Sequence, residues 1–224
     1  MSLRAENITA GYRRGTPVLE GVSLILDRGE TVGLTGPSGS GKTTLARVLS
    51  TLERPWSGTL TIDEHPVTGT RFADPAAVRV AVAMLFQSPR AATNPRWTLA
   101  RIITEPRTIR GAAATTNEVA ALVEEVGLTP DLLTRRPHEV SDGQLQRACL
   151  ARVLAQRPRY LICDEATAMF DAATTAALVR LIFARAERDR IGVLFVSHDR
   201  ELLDTSCATV RTLDSLSDAQ PATP

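Results

Sequence analysis

The sequence predicts an α/β fold: a mainly parallel sheet, a small antiparallel sheet at the N-terminus and a helical subdomain. Three observations carry this. Short apolar runs of strand length recur along the chain, at Thr31-Val-Gly-Leu-Thr35, 80–86, Tyr160-Leu-Ile-Cys-Asp164 and Gly192–Val196, and such runs suit strands covered on both faces. The first of them leads directly into a glycine-rich turn and a helical pattern continuing through Leu45, Val48 and Leu49. The stretch 88–140 differs in texture, rich in Pro, Arg and Thr with two helical patterns, and reads as an insertion between core strands.

Taken in order, residues 2–9 predict a short strand, and 18–26 alternate well enough to form a second after a turn at Gly15-Thr-Pro17. Asp27-Arg-Gly29 turns the chain toward the strand at 31–35. Arg54-Pro-Trp-Ser-Gly58 breaks the helical pattern, and 59–63 alternate as another strand. In the insertion, Val119, Leu122, Val123 and Val126 stand at i, i+3, i+4 and i+7, so that helix buries one face until Gly127 ends it. Ser141 with Gln144 three residues on fits a capping box, with Asp142 suited to the helix dipole, and 145–156 is the helix so capped. Residues 172–188 predict a helix burying Leu178, Leu181 and Ile182, with Arg185, Arg188 and Arg190 suited to its C-terminus. The expected organisation is a single domain over 1–216, containing a helical subdomain at 88–155, and a flexible tail over 217–224.

The chemistry begins at Gly36-Pro-Ser38-Gly39-Ser40-Gly41-Lys42-Thr43, which fits the phosphate-loop pattern G-x-x-x-x-G-K-[ST] between a strand and a helix. Glycines let successive N–H groups curl around a phosphate, and the helix opening at Lys42 adds its unpaired donors. Lys42 is expected to reach the β- and γ-phosphates, and the Thr43 hydroxyl to hold Mg²⁺. Of the 26 basic residues Lys42 is the only lysine. The exception to an otherwise all-arginine usage stands where a compact ammonium fits among phosphates better than a planar guanidinium.

Four further positions follow from that loop. Tyr12 reads equally as a half-buried turn aromatic or as a platform on which a base stacks. Gln87, just past an apolar run, is either a solvated loop residue or an amide ligand to Mg²⁺ or the attacking water. Asp164 and Glu165 end a strand as adjacent carboxylates, and pleat alternation points them apart. Asp164 then suits the Mg²⁺ shell and Glu165 the role of general base. His198 follows a core strand on the edge where ligands bind such sheets, which favours a nucleotide contact over a structural role.

Composition bounds the rest. A chain of 224 residues with 43% hydrophobic and 23% charged residues fits a globular protein, and a formal net charge of +1 gives no electrostatic case for nucleic acid. No apolar run approaches ~18 residues, so no span is expected, and the polar N-terminus is no signal peptide. Cys149, Cys163 and Cys207 lack metal-ligand spacing and read as free, reduced thiols.

Together these motifs resemble the ATPase subunits of ATP-binding cassette (ABC) transporters, over roughly residues 2–213 in the family's order and spacing. The resemblance implies a phosphate-loop NTPase (RecA-like) core that binds ATP and Mg²⁺. Tyr12 matches the adenine-stacking aromatic, and 36–43 with Thr44 the phosphate loop. Gln87 matches the residue linking metal and membrane partner, and Asp164 and Glu165 the metal-binding acid and catalytic base. Val140-Ser141-Asp-Gly143-Gln144 matches the signature L-S-G-G-Q, Ala168-Met-Phe-Asp171 the dimer-interface loop and His198 the switch histidine. It further implies a second ATPase subunit, the same or different, set head to tail with this one, and separate integral membrane permease subunits that place the chain on the cytoplasmic face of the membrane. Segments such as 85–97 (Leu85 to Trp97) and Arg136-Pro-His-Glu-Val-Ser141 resemble ATPases that drive uptake of peptides and nickel, and 144–152 the nickel branch in particular. Readings of another class are a soluble, non-transport ABC ATPase or a regulatory subunit of low turnover.

Three departures stand out. Asp142 replaces a signature glycine, Val140 and Phe170 replace leucines, and the chain stops soon after Asp214. Asp142 is expected to point into solvent rather than toward a phosphate, since an inward charge would oppose the binding its neighbours serve.

Overall fold

The computed structural model describes residues 1–13, 15–68, 78, 80–112, 115–168 and 170–217. The expected tail at 217–224 lies almost wholly outside them. The chain forms two compact units: Met1–Met84 with Arg159–Glu165 and Ala186–Pro224, and Leu85–Pro158 with Ala166–Arg185.

The first unit carries both sheets. β1 (Ser2–Ala10), β2 (Leu19–Asp27), β4 (Ser57–Ile62) and β5 (His65–Pro66) form an antiparallel sheet in the order β2-β1-β4-β5. Leu3, Ala5, Ile8 and Ala10 of β1 and Leu19, Val22, Leu24 and Leu26 of β2 are buried, the one-sided pattern of a sheet with one covered face. The other sheet runs β6-β7-β8-β3-β9, from β6 (Val82–Leu85), β7 (Tyr160–Asp164), β8 (Gly192–Val196), β3 (Thr31–Thr35) and β9 (Thr209–Thr212). β8 pairs in parallel with β7 on one side and β3 on the other, while β3 also pairs in parallel with β9. All five residues of both β7 and β8 are buried, as their uninterrupted apolar runs require. Val196 lies opposite both Leu34 and Asp164, so β3, β8 and β7 end at one level. α1 (Lys42–Leu49) follows β3, while α6 (Arg200–Ser206) and α7 (Asp214–Ser217) close the unit.

A buried polar cluster ties the two sheets together. The Tyr160 hydroxyl, wholly buried, donates to Asp63 Oδ1 at 2.6 Å, and the Arg159 guanidinium pairs with the other oxygen of that carboxylate. Burial, and then the bond to Asp63, push the phenol well above its ordinary pKa. Asp63 sits in the β4–β5 hairpin, where it and Glu64 have φ of 48° and 70°. That is the pair of left-handed residues a two-residue hairpin needs. Gly192 has to be glycine because a Cβ there would lie 2.5 Å from the Asp27 carbonyl and 2.8 Å from the Tyr160 ring.

The second unit is helical: α2 (Leu99–Ile109), α3 (Thr116–Glu125), α4 (Asp142–Ala155) and most of α5 (Ala172–Asp189). On α3 the expected buried face narrows, for Val123 and Val126 are buried but Val119 and Leu122 only half so. Gly127 ends that helix with φ of 68°. On α5, Leu178 and Ile182 are buried as expected, with Val179 in the place given to Leu181. Arg185 does not serve as a bare C-terminal charge; its guanidinium pairs with Glu125 at 2.6 Å.

Cys149 and Cys163 are buried and Cys207 half-buried, all three free; burial raises each thiol's pKa, to about 11 for Cys149 and Cys207. They are packing residues rather than thiolates. Among the described residues no helix is long and apolar enough to cross a membrane.

The Asp63 cluster makes a direct prediction. Tyr160→Phe removes one bond to a buried carboxylate without changing shape, and should lower the unfolding free energy by about 1.5–3 kcal/mol in urea titration. A loss under ~0.5 kcal/mol would mean that Arg159 alone holds Asp63.

Candidate phosphate and nucleotide site

In the first unit the loop between β3 and α1 is shaped by its own lysine. Lys42 is 5% exposed, and its ammonium donates to the carbonyls of Gly36 at 2.8 Å and Pro37 at 2.7 Å. An ammonium has three donors, so one remains for an anion held in the loop. Gly39 and Gly41 take φ of 80° and 108°, the left-handed side that admits the turn. Gly41 caps α1, its carbonyl accepting from Leu45 N at 2.9 Å. The N–H groups of Lys42, Thr43 and Thr44 begin the helix with no carbonyl one turn behind them. Ser38 is exposed, while the Ser40 hydroxyl oxygen is buried without a hydrogen-bond partner. A buried orphan hydroxyl, a spare ammonium donor and a helix start in one loop together fit a bound phosphate.

Next to this loop stands Asp164, also 5% exposed, accepting a hydrogen bond from the Thr43 hydroxyl at 3.3 Å. Burial raises its pKa; the Thr43 bond and the charges of Lys42 and Arg47 pull the other way. Threonine hydroxyl and carboxylate are the hard oxygen donors that Mg²⁺ takes alongside phosphate oxygens. The two fit that ion.

Glu165 stands one residue past the end of its strand. Pleat alternation does not separate the two acids, because β7 stops at Asp164 and Glu165 has left-handed φ of 47°. Its N–H still donates to the Val196 carbonyl of β8 at 3.0 Å, and the left-handed φ turns the main chain off the strand path after it. A non-glycine residue in that region costs roughly 1–3 kcal/mol, and such positions cluster at functional sites. His198 is exposed just past β8, on the level where Asp164 ends β7. Tyr12 is 64% exposed in the β1–β2 connection, and its hydroxyl accepts from the buried Thr44 hydroxyl at 3.1 Å. The ring is thus tethered to the start of α1 with much of its surface open. The first unit therefore joins Tyr12 to Thr44 and Thr43 to Asp164 by direct bonds, around a loop that Lys42 braces, with Glu165 and His198 on the neighbouring strand ends.

The second unit holds the remaining expected residues. Ser141 caps α4 in a full capping box: Gln144 N donates to its hydroxyl at 3.2 Å, and its own N–H donates to Gln144 Oε1 at 3.0 Å. The Phe170 ring lies beside Gly143. Asp171 caps α5, accepting from Thr174 N and Oγ1, both at 2.9 Å; the backbone bond is the main cause that lowers its pKa. Met169 of the same loop is outside the described residues. Gln87 is exposed just after β6. Asp142 is about half exposed, and its carboxylate meets Arg90 Nε at 2.6 Å.

One residue escaped the sequence reading. Gln146, 1% exposed on α4, donates through Nε2 to the carbonyls of Phe86 and Ala166, each at 3.0 Å. It pins the residue before Gln87 and the residue after Glu165 to the same helix. The available signal was an amide within the buried face of a helix that is otherwise apolar there.

With the geometry in place, comparison with known proteins decides the family. The ABC transporter family matches residues 19–168. The chain belongs to the ABC transporter family. It is 41% identical to the nickel import ATP-binding protein NikE of Rhodospirillum rubrum, over 88% of this chain and 72% of that one. To NikE of Escherichia coli K12 it is 37% identical, over 92% and 78%. A bacterial ABC transporter cassette solved as a dimer superposes with a TM-score of 0.83 at 25% identity, covering 94% of both chains. As an ABC ATPase the chain binds and hydrolyses ATP.

Two glycines of this ABC ATPase separate conformational from steric demand. A Cβ on Gly39 meets nothing within 4 Å, whereas on Gly41 it lies 2.8 Å from Leu19 and 2.9 Å from Val18. Gly39→Ala should cost about 1–2 kcal/mol for its backbone alone, and Gly41→Ala a further ~1–3 kcal/mol for overpacking. Equal losses in thermal unfolding would mean that the loop relaxes around the added methyl.

Proposed function

We propose that this chain is the ATP-hydrolysing subunit of an importer for nickel or a nickel complex. The observation that carries the ATPase part is the Thr43–Asp164 hydrogen bond beside the buried Lys42. The cargo rests on the 41% identity to a nickel import ATP-binding protein, with peptides as the neighbouring alternative. The named relatives are import subunits, which favours transport over a soluble role in translation or repair.

In this reading the γ-phosphate of ATP lies in the 36–43 loop, where the free donor of Lys42, the Ser38 and Ser40 hydroxyls and the first N–H groups of α1 meet its charge. Thr43 and Asp164 would hold Mg²⁺, which would neutralise charge on the phosphates. Glu165, aimed out of the sheet by its left-handed backbone, takes a proton from the attacking water. His198 contacts the γ-phosphate, and Tyr12 stacks on adenine. Two ATPase subunits associate head to tail, so that Ser141, Gly143 and Gln144 of one complete the phosphate site of the other, with Asp171 at their contact. Closing and opening of that pair drives integral membrane permease subunits, and the chain sits peripherally on the cytoplasmic face of the membrane through them. Deleting this chain's gene should abolish high-affinity nickel accumulation; unchanged nickel uptake with lost peptide uptake would move the cargo to the peptide branch.

Glu165→Gln should keep ATP binding and lower turnover ~10²–10⁴-fold, since the amide still hydrogen-bonds but is a far poorer base. It should also accumulate as an ATP-dependent dimer in gel filtration. Near wild-type phosphate release would remove Glu165 from the mechanism. Tyr12→Ala should weaken ATP binding by about 1–3 kcal/mol through lost stacking. Tyr12→Phe keeps the ring but frees it from Thr44, and should lose less than ~1 kcal/mol. Equal affinity in all three proteins would make Tyr12 a turn residue.

A further inference from the structure

The signature of this chain carries a carboxylate, Asp142, where the resemblance calls for glycine. Its position is awkward for an anion site. Asp142 is the first residue of α4, directly after the capping Ser141, at the helix end whose dipole and free N–H groups attract negative charge. An uncompensated carboxylate there would repel a phosphate brought to Ser141.

Arg90 answers that charge with unusual completeness. Its Nε pairs with Asp142 Oδ1 at 2.6 Å, Nη1 donates to the Pro137 carbonyl at 2.8 Å, and Nη2 donates to the Val140 carbonyl at 3.2 Å. One planar guanidinium thus gathers three acceptors from the 137–142 turn, the segment that leads into α4. Three residues before Arg90 stands Gln87, so the same loop that carries the expected metal and permease contact also braces the signature. The pair itself is about half exposed, and exposed pairs contribute little stability. Its effect is on geometry and local field.

We propose that Arg90 is a positioning residue for the signature: it fixes the turn before Ser141 and cancels the Asp142 carboxylate, so the α4 N-terminus can receive the partner's ATP. This rests on the reading that Ser141 meets nucleotide across a subunit pair. Asp142 and Arg90 are then one compensated unit, a charge added to the signature together with the cation that neutralises it.

The test is a double-mutant cycle on the purified full chain, measuring kcat and KM for ATP hydrolysis at low and high salt, with thermal melts to confirm folding. Arg90→Ala should lower kcat/KM about tenfold at low ionic strength, the scale of one charge acting near a protein surface, mainly by raising KM. Asp142→Gly alone should equal or exceed wild type. Adding Asp142→Gly to Arg90→Ala should restore kcat/KM to within about threefold of wild type. High salt should shrink the Arg90→Ala defect, because an exposed charge is screened. Arg90→Lys, which keeps the charge and loses the fork, should fall between wild type and Arg90→Ala.

A double variant as impaired as Arg90→Ala at low salt would overturn the proposal and leave Arg90 a brace for the loop only. Indifference of turnover to all four variants would overturn it as well. Ser141→Arg separates this from the underlying reading. If Ser141→Arg abolishes turnover while the Arg90 variants behave as wild type, only the present inference fails. If Ser141→Arg leaves turnover intact, the nucleotide role of the signature itself falls.

Discussion

The glycine-rich loop of the first unit depends on how the Lys42 ammonium is held. It is almost fully buried, and a buried cation is costly unless its donors are engaged. Two carbonyls of its own loop engage two of them, Gly36 and Pro37. That fixes the curl of residues 36–41 from within and leaves one charged donor available to an anion. The left-handed glycines make the curl possible, and the lysine keeps it closed. Asp164 is the electrostatic counterpart, a carboxylate kept 5% exposed beside the same ammonium and tied to Thr43. Burial raises its pKa, and the neighbouring cations and hydroxyl limit that rise. The loop's donors are therefore held in place before any anion arrives, which is the condition under which electrostatic stabilisation contributes most.

Sheet topology brings the rest to that place. Because β8 lies between β3 and β7 and all three run parallel, the loop after β3, the acids after β7 and His198 after β8 emerge at one edge. Parallel strands require long crossovers, which is why residues more than a hundred positions apart meet. The left-handed backbone at Glu165 adds the last adjustment, turning one of two adjacent carboxylates onto a different course from its neighbour.

How much of this the sequence revealed follows from the range of each interaction. The phosphate loop, the Ser141 capping box and the core strands are local patterns, and they stand where composition and periodicity put them. The left-handed backbone at Glu165 was not legible, because alternation describes a residue only while its strand continues, and β7 stops at Asp164. The pairings of Arg185 with Glu125 and of Arg90 with Asp142 were not visible, since the partners are distant in sequence and nothing local announces them. Gln146 was hidden by its neighbours. A single amide among apolar residues carries no periodic signal, and its meaning lies in two carbonyls from other segments. Asp142 shows the same limit from the other side: its departure from the signature was visible, its compensation was not.

The central claim is that the 36–43 loop holds the phosphates of ATP around Lys42. Because Lys42 is the chain's only lysine, one measurement reaches it directly: labelling with an amine-reactive ATP analogue, read by mass spectrometry with and without competing ATP. The account predicts modification of Lys42 and otherwise only of the N-terminal amine, with ATP protecting Lys42 in proportion to its occupancy. Labelling of Lys42 that ignores saturating ATP would place the nucleotide elsewhere and contradict the account.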